Sequence, residues 1–465
     1  MLTKGRCAMA TALLATALSG VAATAPLQPV VECEEEVYSY TPANNGAGPL
    51  WTHGNTSIVR VGEEVFASGI ETLPDYKPLN NVRWMLFRRQ PEGWKLQARG
   101  EGTHEREPCP LVAFPAGRIL LSINPNACGP EEHDGTASPQ ILEFAAADVR
   151  QPLRTLRPSW DREIRFHAHT YRSFAADGPR GETLLIYNTA YDRAYWTFLD
   201  AEGRWSRQGA LEFPFGKEYD EPQPIRICYP TVALRNRAVH FCGVSDIVEP
   251  YKAWREFKQE LTKQKWDYDF RRLFYTWCDD IAGEGRFHDW VEVASRDRTC
   301  GWIFPCDLHV ADDGRVHILW TERALDERLR PKFFPDQKQS VALNYAVIER
   351  GAVTRRLTLQ EWLEGGASAE RPGEGRFQVL PDGRLLVFYF VGGKDAQGKA
   401  LAENRLVEVL ADGTLGNAVR VPLQTPLSSF FTATPRAGCA PALVIDLLGN
   451  VGTTMRYARI RLAAP

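Results

Sequence analysis

Seven times along the chain, a turn that often carries Gly or Asp-Gly is followed by a run of β-branched, aliphatic and aromatic residues. The runs span 62–69, 117–124, 181–188, 236–243, 314–321, 383–390 and 440–448. Apolar runs of this length, bounded by glycine, read as buried strands rather than helices. Each is preceded by a shorter apolar segment. Further strand-like segments follow: 82–89 with 93–99, 141–146, 195–200 with 203–209, 273–280 with 287–294, 341–349 with 351–359, 405–410 with 416–423, and 455–462. The units return about every sixty residues, longer than the roughly 20–45 residues of solenoid repeats. The pattern predicts an all-β fold, a seven-bladed β-propeller of four-stranded antiparallel blades, as one domain over 26–465. A two-sheet sandwich, commonly one domain of about 200–250 residues, fits seven such returns badly.

The seventh unit runs out after its third strand, and the segment beginning at Val37 is the expected donor of the missing outer strand. Two units depart from the repeat between their second and third strands. Residues 248–272 form a charged, helix-favouring insertion with Tyr251, Trp254, Phe257 and Leu261 at helical spacing, and 322–339 form a basic loop. Propeller geometry puts both on the face where first strands begin, so they are expected to wall one mouth of the central channel.

Lys4 and Arg6, then an apolar, Ala-rich run with small residues at Ala22, Ala23 and Ala25, read as a signal peptide over 1–25. A secreted or periplasmic protein is expected, with no membrane span, since no later stretch reaches about 18 apolar residues. Composition adds that 55 Lys+Arg against 58 Asp+Glu leave a formal charge of -3, without the basic footprint of a nucleic-acid binder. Without Cys7, nine of the ten cysteines remain in a compartment that allows disulfides. Cys228 with Cys242 and Cys109 with Cys128 flank hairpin turns symmetrically and are candidate pairs, small buried hydrophobes being the alternative. Cys300 and Cys306 support a zinc site only weakly. Asn55-Thr56-Ser57 is a formal glycosylation sequon.

First-strand starts and second-strand ends converge on the expected mouth, and His, Tyr and Arg are concentrated there. His167, His169 and Tyr171 alternate, and so would project from one side of a strand, with Arg172 beside them. Tyr191, Arg193, Arg226 and Tyr229 come from adjacent segments. His104, Asn188, Asp307, Glu322 and Arg323 complete the candidate set. Histidine can take a proton near neutral pH, tyrosine can return one, and arginine can hold a carboxylate through two hydrogen bonds. That set suits β-elimination from a uronic acid, whose C5 proton needs a base and whose carboxylate needs neutralising. His167, His169, Tyr191 and Tyr229 are then the catalytic candidates, and the others bind substrate.

The repeated Gly-Arg-hydrophobic second strands, the His-bearing third unit and the export signal resemble the propellers of the bacterial neuraminidase-repeat type, among them the secreted ulvan lyases. The resemblance implies a polysaccharide lyase using His167 or His169, Tyr229 or Tyr191, and Arg226 or Arg193. It departs from true sialidases in lacking the Ser-x-Asp-x-Gly-x-Thr-Trp box, of which segments near Asp200 and Arg89 are degenerate echoes. Such a lyase takes an acidic polysaccharide or oligosaccharide and requires no cofactor, while a structural or carboxylate-neutralising cation is compatible with it. The rival readings are a sialidase-like hydrolase working through Asp307 and Glu322, and a non-catalytic glycan-binding propeller. P-loop, Gly-x-Ser-x-Gly and His-Glu-x-x-His motifs are absent.

Overall fold

The computed structural model describes residues 28–463. The signal-peptide segment 1–25 lies outside the described residues. Seven four-stranded antiparallel sheets follow one another as blades, each written from its innermost strand outward. Blade 1 comprises Ile58–Val61, Glu64–Thr72, Val82–Gln90 and Gly93–Arg99. Blade 2 comprises Leu111–Ala113, Arg118–Ile123, Gln140–Ala145 and Arg154–Leu156. Blade 3 is Tyr171–Asp177, Glu182–Asn188, Arg193–Leu199 and Trp205–Glu212. Blade 4 is Ile227–Arg235, Ala238–Ser245, Arg272–Cys278 and Val291–Ser295. Blade 5 is Trp302–Val310, Val316–Arg323, Ser340–Glu349 and Ala352–Leu363. Blade 6 is Glu370–Val379, Leu385–Lys394, Ala400–Val409 and Val419–Val421. Blade 7 takes Phe430–Thr432, Val444–Val451 and Thr454–Ala463 from the C-terminal end of the chain and its outer strand, Gln28–Ser39, from the N-terminal end. The expected ring closure is therefore present.

Burial explains the strand order. Second strands are covered on both faces, as in Glu182–Asn188 where every residue is buried, whereas the outer strand Ala352–Leu363 alternates exposed and half-buried positions with the period of two that one wet face imposes. The hydrophobic core is a ring of layers between neighbouring blades; Ile186, Phe198, Leu234 and Phe241, for example, pack blade 3 on blade 4. The Gly-Arg starts have a local cause. In blades 5 and 6 the turn glycines Gly314 and Gly383 sit at φ 83° and 85°. The preceding Asp313 and Asp382 accept the amides of Arg315 and Arg384 at 3.0 and 3.1 Å and also pair with those guanidiniums.

The inner strands of blades 4, 5 and 6 each carry a bulge, between Cys228 and Thr231, Pro305 and Asp307, and Pro372 and Gly375. Each of these holds a proline, Pro230, Pro305 or Pro372, that could not donate to a regular ladder. The first corrects a cysteine expectation: the extra residues pair Cys242 with Thr231 and Cys228 with Val244. All nine cysteines among the described residues are free thiols, Cys109 and Cys128 included, and eight of them are buried.

The insertions form helix α1 (Lys252–Thr262) in blade 4 and the four-residue helix α2 (Arg330–Phe333) in blade 5. They meet: Trp254 lies 5.5 Å from Phe334 and Phe257 5.6 Å from Phe333, edge to face. Both therefore stand over the same face, as the spacing predicts. Among the described residues no helix is long and apolar enough to cross a membrane.

Candidate active site

The segment 51–57, which leads into blade 1, lies across the axis of the ring. Arg436 of blade 7 donates to the Gly54 carbonyl (2.7 Å), Asn55 donates to the Arg172 carbonyl (2.8 Å) and accepts the Phe174 amide (2.7 Å), and Thr56 donates to the Thr432 carbonyl (2.9 Å). Gly54 is obligatory here: at φ 81°, a Cβ would stand 2.2 Å from the Pro230 carbonyl oxygen. These contacts bury Asn55, so the sequon is inside the fold.

The crossing brings Trp51 and His53 onto aromatic side chains of blades 3, 4 and 5. The His169 ring lies 5.4 Å from Trp51 and 4.9 Å from Tyr171, Tyr171 lies 4.9 Å from Tyr229, and His53 contacts Tyr229 and Phe304 at 4.9 and 4.8 Å. Tyr229 owes its position to the blade 4 bulge, where it adopts φ 49° directly before Pro230. That left-handed conformation strains a bulky residue by about 1–3 kcal/mol.

His169 is the polar head of this cluster, with its side chain 39% exposed, and its Nδ1 lies 2.9 Å from Oε1 of the buried Glu107. The same oxygen accepts the Thr170 amide at 3.1 Å. A carboxylate held in this way accepts a hydrogen bond from Nδ1–H and leaves the Nε2 lone pair free. Burial raises Tyr171 and Tyr229 above the ordinary phenol range, so both remain protonated donors. Arg226 packs on three rings, its Cζ 4.4, 5.3 and 5.8 Å from the centroids of Tyr191, Tyr268 and Tyr171, and its guanidinium meets Asp246.

The structure thus brings His169, Tyr229, Tyr191 and Arg226 to one place and separates the other candidates from it. His167 belongs to a two-residue strand, Phe166–His167, paired with Thr136–Ala137; that strand ends before His169 and a new one starts at Tyr171, so His167 and His169 do not share a strand face. His104 is buried against Tyr76 at 4.5 Å. Arg172 is buried beneath the site, donating to the Pro108 carbonyl at 2.9 Å. Asn188 is buried as a tie to the Ile227 carbonyl. Arg193 turns to its neighbour Asp192 at 2.6 Å. Asp307 is buried in an ion pair with Arg436 at 2.6 Å and accepts the Phe377 amide at 2.8 Å. Glu322 is held by Arg296 and by Trp320 Nε1 at 3.0 Å. Arg323 is exposed over Trp302 at 5.0 Å.

Sequence reasoning missed Trp51, His53, Glu107 and Phe304. Nothing in the local pattern marks the first two, whereas Glu107 sits between the candidate His104 and Cys109. Among the described residues no group of three or more His, Cys, Asp or Glu side chains is placed to hold a metal ion.

The fold is a seven-bladed propeller, and this His/Tyr/Arg cluster lies where its blades 3 and 4 meet the crossing segment. No protein-family model matches the chain and no curated protein matches it. Among solved structures it is similar to the polysaccharide lyase Uly1, at 12% identity and a TM-score of 0.54, covering 93% of this chain and all of that one. It also aligns with a Fusarium graminearum α-L-arabinofuranosidase (8%, TM-score 0.44, 93% of this chain and 98% of that one) and a Penicillium chrysogenum α-L-arabinanase (10%, 0.38, 94% and 98%).

Proposed function

We propose that the protein is a carbohydrate-active enzyme that cleaves a uronate-containing acidic polysaccharide by β-elimination, acting as an exported enzyme. The observation that carries this reading is His169, half exposed, oriented by the buried Glu107, and set beside two tyrosines held in their protonated form. In the proposed step His169 Nε2 removes the C5 proton of the uronate, the C4–O bond to the next sugar breaks, and C4 and C5 become a double bond. Tyr229 or Tyr171 gives its proton to the departing oxygen, and the proton on His169 returns through solvent. Arg226 is the guanidinium of the cluster, and from within its pair with Asp246 it supplies positive charge for the developing carboxylate dianion. The fold shared with a polysaccharide lyase supports the reading at the level of architecture. Hydrolysis through Asp307 and Glu322 is disfavoured because both carboxylates are committed to arginines.

The test is a screen of acidic polysaccharides for new absorbance near the ultraviolet edge, with His169→Ala as control. An unsaturated product that the variant does not form supports the proposal. New reducing ends without absorbance turn the reading to hydrolysis, and binding without cleavage turns it to a glycan-binding propeller.

A further inference from the structure

A polymer substrate must also place the sugars next to the one that reacts. Between the two insertions, on the same mouth, lies a cavity of about 280 Å³ lined by Tyr268, Phe270, Trp302 and Arg323 among others, near the lower end of the ~300–1,000 Å³ usual for ligand pockets. It shares a wall with the candidate active site, since Phe270 lies 5.7 Å from Tyr229 and Tyr268 lies under the Arg226 guanidinium. An aromatic surface joins the two: Tyr229 to Phe304 is 5.1 Å, and Phe304 to Trp302 is 5.4 Å with ring planes 10° apart. Trp302 and Phe304 are two residues apart on the inner strand of blade 5 and so project to the same side.

Charge singles out one residue of this cavity. Lys258 and Arg271 are held by Glu249, and Arg328 by Asp326 and Asp267. The lining carboxylates are engaged as well, Asp269 with Arg271, Asp326 with Arg328, and Glu327 with Arg330. Arg323 instead lies over the Trp302 ring, and its neighbour Glu322 is taken by Arg296. Among the described residues it is the lining cation left free to meet an anion. An aromatic ring accepts the apolar face of a sugar, and a free guanidinium binds a carboxylate or sulfate through paired hydrogen bonds.

We propose that this cavity is a second sugar subsite, where Trp302 stacks on, and Arg323 binds the anionic group of, the acidic sugar neighbouring the one that is cleaved. The proposal rests on the elimination reading. Trp302→Ala and Arg323→Gln are each expected to raise KM for the polymer on the order of tenfold or more while kcat stays within about twofold, the signature of lost ground-state binding. Arg323→Lys should recover part of the loss, since a lysine keeps the charge but not the fork. The same substitutions in an inactive His169→Ala background should reduce retardation in gels containing the polysaccharide. Cleavage by the wild type with unchanged KM and retardation in both variants overturns the subsite alone. Absence of both cleavage and retardation with every acidic polymer overturns the elimination reading and the subsite together.

Discussion

A histidine serves as a base in a defined direction only when one ring nitrogen is committed elsewhere. At His169 the commitment is to Glu107, whose second role as acceptor of the Thr170 amide fixes where it points. His169→Ala is therefore expected to cost on the order of 10²–10⁴ in rate, while His167→Ala, outside the aromatic cluster, should stay within about tenfold of wild type. Steady-state kinetics on the substrate found by the absorbance screen distinguish the two. The tyrosines lead to a pH prediction. Because burial raises Tyr171 and Tyr229 above the ordinary phenol value of about 10, the donor stays protonated throughout the accessible alkaline range. The kcat profile should show no tyrosine-dependent fall between about pH 7 and pH 9.5, and Tyr229→Phe should lower kcat at every pH alike. His169 was legible in the sequence because the alternation with Tyr171 drew attention to that stretch. Trp51, His53 and Glu107 were not, since the first two reach the cluster through a chain crossing that no local pattern encodes, and Glu107 comes from the approach to blade 2, 62 residues away from His169.

At the scale of strands, what the sequence made plain was burial: seven doubly covered second strands stood out as unbroken apolar runs, and α1 as a stripe in which Trp254 and Phe257 find partners on the second insertion. Bulges left no such trace, because they depend on which residues lack a partner across the ladder. This is why the symmetric placement of Cys228 and Cys242 about their turn did not bring them together. Blade 2 shows the other gap, as its outer strand is only Arg154–Leu156, too short for an alternation to register. Two blades also repeat one polar pair. His240 on the second strand of blade 4 bonds through Nδ1 to Tyr275 on the third (2.8 Å), and His317 bonds equivalently to Tyr345 in blade 5 (2.6 Å). Burial pushes these histidines down to about 4 and about 3. The unfolded chain takes up protons below about pH 6.5 while the folded blades do not, so each pair contributes stability that is complete above pH 6.5 and is lost towards pH 4. The loss is about 1.4 kcal/mol per pH unit per histidine at most. Thermal melts should show Tm falling as pH drops from 7 to 5, and His240→Gln with His317→Gln should flatten that slope even if they lower Tm at pH 7. A double variant with the wild-type slope would remove these pairs from the acid response.

Across the whole molecule, a propeller is stable only if its ring closes without a bare edge, and here two long-range devices do that work. One is axial: Arg436 of blade 7 reaches both Asp307 of blade 5 and the Gly54 carbonyl of the crossing segment, so removing Asp307 strands a buried guanidinium at a cost of about 3–5 kcal/mol. The other is the outer strand Gln28–Ser39, which runs antiparallel to Thr454–Ala463 over nearly its full length. It also packs Tyr38 on Phe87 of blade 1, with rings stacked at 4.9 Å, and pairs Glu35 with Arg89 of blade 1 at 2.6 Å, so it joins the last blade to the first as well as completing the last. Deleting residues 28–39 should lower Tm on the order of 10 °C, since it removes a half-buried tyrosine, an ion pair and a whole ladder of hydrogen bonds. It should also leave the 454–463 strand as an unprotected edge that recruits another copy of the chain, visible as concentration-dependent association in sedimentation velocity. Glu35→Gln, which breaks only the half-exposed ion pair, should shift Tm by no more than a few degrees and leave the protein monodisperse. If the truncated chain melted like the intact one and stayed monodisperse, the strand would be a passive cover, and the C-terminal three strands would close the ring without it.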